Sequence, residues 1–165
     1  MLKTYEDFLR RADTLGFFFL SGKNLEGLPT LERETNPEQW HTGIPETDPW
    51  QWKDRAAQEK KLAFGCILGG NKGFVSKRMY SLFYMACSPS DELQDCYEDG
   101  ELSRSAMDLY QLFQDGAVLS TADIHKKLGV TKKAGASRAD SALKELQKRY
   151  IITVCGNKRK VSADG

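Results

Sequence analysis

Behind Thr4, the apolar residues Tyr5, Phe8, Leu9, Ala12 and Leu15 recur at helical spacing, with Asp7 three residues past Thr4 and Gly16 just beyond the end. This pattern predicts a first helix opened by a Thr–Asp capping pair and closed by a left-handed glycine. Phe17-Phe18-Phe19-Leu20 is a short unbroken apolar run and predicts a buried strand. Residues 21–48 lose periodicity and fill with Gly, Pro, Asn, Thr and Glu. A connection that long in a small domain suggests a functional or partner-covering loop. Periodicity returns at Asp48, a good N-cap, followed by Pro49 at the first helical position and Gln51 at the reciprocal capping position. A helix from Pro49 to about Phe64 is expected, with Trp50, Ala57 and Phe64 recurring every seven residues beside Trp52, Ala56 and Ala63. On that spacing Trp50 and Trp52 are both core anchors.

The stretch from Gly65 to Val75 has the look of a phosphate loop, but Lys72 is followed by Gly73. The Ser or Thr hydroxyl that would hold Mg²⁺ is missing, so two short strands joined by a Gly-rich turn fit better. Ser76 opens a helix whose Met79, Tyr80, Leu82, Phe83 and Met85 are expected in the core. Ser88 to Gly100 is acidic and turn-rich and reads as a linker between an N-terminal α+β lobe, 1–100, and a C-terminal module, 101–165.

The pattern sharpens in that module. Ser103 caps a helix carrying Ala106, Leu109, Tyr110 and Phe113, and Ser120 caps a second, Thr121 to Leu128, with Ala122, Ile124 and Leu128 inside. A third helix begins near Ser137, with Ala139, Ala142, Leu143, Leu146 and Tyr150 as its apolar stripe. Ile151-Ile152-Thr153-Val154 is β-branched, Gly156-Asn157 is a turn, and Arg159 to Ser162 supplies a returning strand. Helix, short extended piece, helix, turn, helix and hairpin is the order of a winged helix. The predicted class is therefore α+β and mostly helical, with a C-terminal winged-helix module and a smaller N-terminal α/β lobe.

Composition narrows the function. At 165 residues, 40% hydrophobic and 28% charged, the chain reads as an ordinary globular protein able to bury a core unaided. No apolar run approaches the ~20 residues of a membrane span, and the acidic start Tyr5-Glu6-Asp7 argues against a signal peptide. Cys66, Cys87, Cys96 and Cys155 lack metal-ligand spacing and suit reduced thiols, so a cytoplasmic protein without metal or cofactor is expected. Charge is unevenly placed: residues 1–118 hold 13 Lys/Arg against 19 Asp/Glu, whereas 119–165 hold 11 against 4. A basic end on an acidic body points to a polyanionic partner. Lys132 and Lys133 in the turn, Arg138, Lys144 and Lys148 on the third helix, and Lys158, Arg159 and Lys160 on the wing are the candidate DNA contacts. The lysines suit phosphates, and Arg138 near the helix start suits a guanine edge. His125 reads as a surface residue.

WHTGIPETDPWQWK, the following GGNKGF, and LSTADIHKKLG with SRADSALKELQKRYIITVCG together resemble the AlkZ-related proteins, over about residues 3 to 162. These are small bacterial relatives of the winged-helix alkylpurine DNA glycosylases, so the resemblance implies a winged helix and contact with duplex DNA. The longer glycosylases carry a Gln-x-Gln motif that positions the attacking water. This chain has none: Gln111-Leu112-Phe113-Gln114 has the wrong spacing. The leading expectation is a DNA-binding protein without an evident catalytic motif, regulatory or accessory to DNA repair. The alternatives are a glycosylase-type enzyme and a protein–protein adaptor. For the enzyme, Trp40, His41, Glu46 and Asp48 are the candidate pocket for an extruded base.

Overall fold

The computed structural model describes residues 1–22, 25–87, 92–131 and 135–156. Helix α1 spans Tyr5–Leu15, with Thr4 and Asp7 forming a full capping box and Gly16 closing it at φ 84°. Strand β1, Phe17–Phe19, follows directly. Strands β2, Leu62–Leu68, and β3, Asn71–Ser76, form the Gly-turned pair. The sheet is antiparallel in the order β1-β3-β2, with Phe18 and Phe64 both opposite Phe74. Alternate residues of a strand face opposite sides. One face therefore carries Phe18, Phe64 and Phe74 under α1 and under α3, Pro49–Gln58. Phe8 meets Phe74 edge-on at 4.9 Å and stacks on Trp52 at 5.7 Å. The other face carries Phe19, Ile67, Leu68 and Val75 against Met79, Tyr80 and Phe83 of helix α4, Lys77–Cys87.

Three sequence expectations in this lobe are corrected. Helix α3 stops at Gln58, well short of Phe64, with Lys60 turning left-handed at φ 53° before β2 begins. Phe64 still reaches the core that holds Trp52 and Ala57, but from a strand. The seven-residue spacing recorded a shared destination, not a shared helix. Trp50 and Trp52 also part company: residues two apart lie ~200° apart around a helix, and Trp52 is 0% exposed while Trp50 is 42% exposed. Helix α4 likewise buries none of its apolar set fully: Met79, Tyr80 and Phe83 are half-buried against the sheet, and Leu82 and Met85 are exposed.

The long loop is largely structural. It contains a one-turn helix α2, Leu31–Glu34, and a 3-10 turn, Pro37–Gln39. Thr30 bridges to Phe19, and the Phe19 N–H donates to the Pro29 carbonyl at 3.0 Å. The loop so covers the free edge of β1, which would otherwise invite pairing by another chain.

A second core is helical. It joins α5, Leu93–Glu98, α6, Arg104–Gln111, α7, Thr121–Lys127, and α8, Ala136–Lys148. Cys96, Leu102, Leu109, Ile124, Ala142 and Leu146 are buried in it. Ser103 caps α6, and Ser120 with Asp123 forms the capping box of α7. Ala122, expected inside, is exposed. Part of the segment read as a linker is thus α5, seated on α6 through Cys96.

The two cores are tied together through the end of α8. The Gln147 Oε1 accepts the Cys66 N–H at 2.6 Å, and the Tyr80 hydroxyl donates to the Tyr150 carbonyl at 2.7 Å. Tyr150, placed by sequence on the stripe of α8, instead leaves the helix at φ 59° and packs with the N-terminal lobe. Ile151–Val154, expected as the first wing strand, forms no strand: Ile151 and Ile152 pack against the helical core, and the segment reaches β2 at a single bridge to Phe64. The Val154 N–H donates to the Phe64 carbonyl at 2.9 Å, and the Thr153 hydroxyl donates to the same oxygen at 2.8 Å. An unpaired strand edge is costly to leave open, and this bridge closes the outer edge of β2 at Phe64. The returning strand at Arg159–Ser162 lies outside the described residues. The molecule is α+β with a small antiparallel sheet, and among the described residues the helices of the expected module are present while its wing hairpin is not. No helix of the described residues is long and apolar enough to cross a membrane.

Candidate nucleic-acid interface

Helix α8 divides cleanly into two faces. Ala139, Ala142 and Leu146 are buried in the helical core, while Arg138, Ser141, Lys144 and Lys148 are exposed. At 100° per residue, positions 141, 144 and 148 fall in one stripe, with 138 at its margin. Several other polar groups on and beside the helix are engaged by the protein itself, while the Asp140 carboxylate stays exposed. Glu145 accepts the Ser103 N–H at 2.9 Å and the Ser103 hydroxyl at 2.6 Å, tying α8 to the start of α6. Arg149 donates to the Glu101 carbonyl at 2.6 Å, and the Ser141 hydroxyl turns back onto the Ser137 carbonyl at 2.9 Å. Arg138, Lys144 and Lys148 form no ion pair with any described residue, in contrast to Arg10, Arg11, Arg55 and Arg104. Three free cations on the solvent face of a helix make a surface that attracts phosphate. Lys132, Lys133, Lys158, Arg159 and Lys160 lie outside the described residues. His125 is half-buried, with Nε2 3.6 Å from the Asp140 carboxylate.

The Trp-rich segment is organised around Asp48, which is 1% exposed. Its Oδ1 accepts the N–H of His41 at 3.0 Å and of Trp50 at 2.9 Å, and its Oδ2 accepts the N–H of Gly43 at 2.9 Å. The carboxylate is at once the N-cap of α3 and the clamp of the preceding turn, holding His41 at φ 64°. That backbone region costs a non-glycine residue energy and persists where the surroundings enforce it. Trp40 is partly buried against the core and donates its indole N–H to the Thr35 hydroxyl at 2.9 Å. Glu46 is exposed, and its carbonyl accepts the Tyr5 N–H at 2.9 Å.

Of the candidate pocket, then, His41 and the Glu46 side chain face solvent, while Trp40 and Asp48 are engaged by the protein itself. Sequence reasoning missed the neighbours of His41. Its ring lies 5.0 Å from that of Trp50, and the Lys53 ammonium sits 4.3 Å over the Trp50 ring while pairing with Asp54 at 2.8 Å. The result is a ledge, not an enclosed pocket. The two-residue offset between Trp50 and Trp52 is the signal that could have exposed it.

An open cleft of about 840 Å³ lies between the α6–α7 connection and residues 151–156, with Gln58 at the end of α3 also on its wall. Phe113, Val118, Leu143 and Ile152 give it an apolar lining, and its ionisable residues are Asp123 and Cys155. Asp123 is committed to the α7 cap through Ser120. None of the described residues lining the cleft is Lys, Arg or His. Among the described residues no group of three or more His, Cys, Asp or Glu is placed to hold a metal ion.

A family model described as AlkZ related matches residues 2–165. No curated protein matches the chain, and no solved structure matches it.

Proposed function

The chain belongs to the AlkZ-related family, and from that premise we propose that it binds duplex DNA through the basic face of α8, as a regulator or repair accessory without base-excision chemistry of its own. Family membership suggests a DNA-related role. The observation that carries the specific reading is the set Arg138, Lys144 and Lys148 on one exposed face, without an ion pair among the described residues. The opposite face is anchored in a core that includes α6 and α7. A helix backed this way presents its cations at fixed spacing along ~15 Å, from the ten steps between Arg138 and Lys148 at about 1.5 Å each. Lysines so placed position the protein on the phosphate backbone. Arg138, two residues into the helix, has the reach and fork geometry for a guanine edge. The cations expected at Lys132, Lys133, Lys158, Arg159 and Lys160 flank this helix in sequence and add to the same field.

The test is a titration of the chain with duplex, single-stranded and alkylated DNA at two salt concentrations, with released base measured alongside. Duplex binding that weakens with salt and no released base support the proposal; base release would refute its non-catalytic half.

A glycosylase-type activity is the second reading, favoured by the exposed His41–Trp50 pair as a stacking surface for an extruded base. Against it, the Asp48 carboxylate already accepts three backbone N–H groups and is poorly placed to activate water. Base release abolished by His41→Ala in a folded protein would establish this second reading.

A further inference from the structure

The glycine-rich run of β2 and β3 takes no part in the reading above, yet α8 explains two of its glycines. A Cβ on Gly65 would lie 2.7 Å from Gln147 Oε1, the atom that accepts the Cys66 N–H. A Cβ on Gly70, whose φ is +88°, would run into the Lys148 side chain, with Nζ 3.2 Å away. The missing side chains let the C-terminal half of α8 lie against the hairpin, and they put the Lys148 ammonium at its turn. In that turn Gly69, Asn71 and Lys72 are exposed. The Asn71 side-chain amide donates to the Leu68 carbonyl at 3.2 Å, and the Lys72 carbonyl accepts the Leu20 N–H at 2.9 Å, so the main chain is held from both sides. Lys72 stands two residues beyond Gly70, and its ammonium forms no ion pair with a described residue.

The Lys148 ammonium therefore lies at the hairpin turn, and the exposed Lys72 follows two residues after Gly70, both without an ion pair among the described residues. Thr153 and Val154, which the winged-helix reading assigns to a wing, bond to Phe64 of β2 instead. From these observations we infer that the β2–β3 turn is a second contact for the DNA backbone. Lys72, beside Lys148, takes a phosphate of a duplex docked along α8, and the hairpin of the N-terminal lobe serves as the wing. The inference rests on the duplex-binding reading. A contact of this kind fixes orientation and adds the same increment on every sequence.

The test compares the full chain with Lys72→Ala, Arg138→Ala and Lys77→Ala, each titrated with several duplexes of unrelated sequence across a salt series. Lys77 follows β3 at the end of the strand away from the turn and serves as the control for lost charge. Lys72→Ala is expected to weaken every duplex by the same factor and to reduce the log–log salt slope by about one. Lys77→Ala is expected to leave that slope unchanged. An unaltered slope in Lys72→Ala, or an equal loss in Lys77→Ala, overturns the inference. If Arg138→Ala weakens binding while Lys72→Ala does not, the inference fails and the duplex reading stands. If the parent chain shows no salt-dependent duplex binding, both fall.

Discussion

The Trp-rich segment and the basic face of α8 differ less in composition than in what their polar groups are already doing. In the segment, Asp48 accepts three backbone N–H groups, the Trp40 indole is bonded to Thr35, and Trp52 is 0% exposed. On α8, common lysines and one arginine are left without a partner among the described residues. Rarity in a sequence marks residues that are hard to replace, and a core anchor satisfies that as well as a catalyst. Freedom is the better guide to binding: a polar group with no internal partner is available to an external one.

Substitutions in the two regions should separate them by stability against affinity. Trp52→Ala removes a wholly buried indole and should cost about 3–5 kcal/mol, as other large core truncations do. Chemical denaturation measures this; a loss below about 1 kcal/mol would mean that the segment is not built on its core contact. Asp48→Ala comes next, since it strips a cap and leaves further backbone N–H groups without an acceptor. A lost cap alone costs about 0.5–2 kcal/mol, and each unsatisfied buried group adds to it. A total of about 2–3 kcal/mol is expected from the same measurement, whereas a loss under about 0.5 kcal/mol, the ordinary range for a surface position, would reopen Asp48 as a functional group.

A pH effect of smaller size tests the join between the lobes. Burial pushes the Tyr150 phenol up to about 12 from its ordinary 10.0. Below pH 10 the phenol is neutral in both folded and unfolded chains. Between 10 and about 12 only the unfolded chain ionises, so stability must fall as pH rises through that window. The melting midpoint of Tyr150→Phe should therefore fall less steeply than that of the parent above pH 10. Parallel pH curves for the two proteins would contradict this origin.

Trp50→Ala should change stability by no more than about 0.5 kcal/mol, the usual range for an exposed position. Set beside Trp52→Ala it is the sharpest contrast within one helix turn. Lys144→Ala should leave the melting midpoint unmoved and weaken duplex binding, the reverse of Trp52→Ala.

What was legible in the sequence follows the range of the signal. The capping pair Thr4–Asp7 and the Ser120 cap formed as read because their partners lie within one turn. The apolar stripe Ala139, Ala142, Leu146 is likewise local. The end of α3 was misread because Phe64 enters the same core from a strand, which periodicity alone cannot separate from a helix. The Gly-rich turn at Gly69 and Gly70 was legible, but the close approach of α8 that leaves no room for a Cβ at Gly65 comes from far along the chain. The destination of Val154 was hidden for the same reason: β-branching predicts an extended segment but not which edge it will cover. At the candidate site, charge and helical phase identified the exposed cations of α8. The His41–Trp50–Lys53 ledge needed the Asp48 clamp to be seen.

The central claim is that the free cations of α8 meet the phosphates of duplex DNA, and salt tests it most directly. Affinity for duplex DNA is measured from low to moderate salt. With about four to six phosphates neutralised, the log–log slope should be roughly −4 to −5, at about −0.9 per phosphate. It should become shallower by about one unit in Lys144→Ala. An affinity that stays flat across that range, or a slope that Lys144→Ala leaves untouched, would contradict the assignment of this face to DNA.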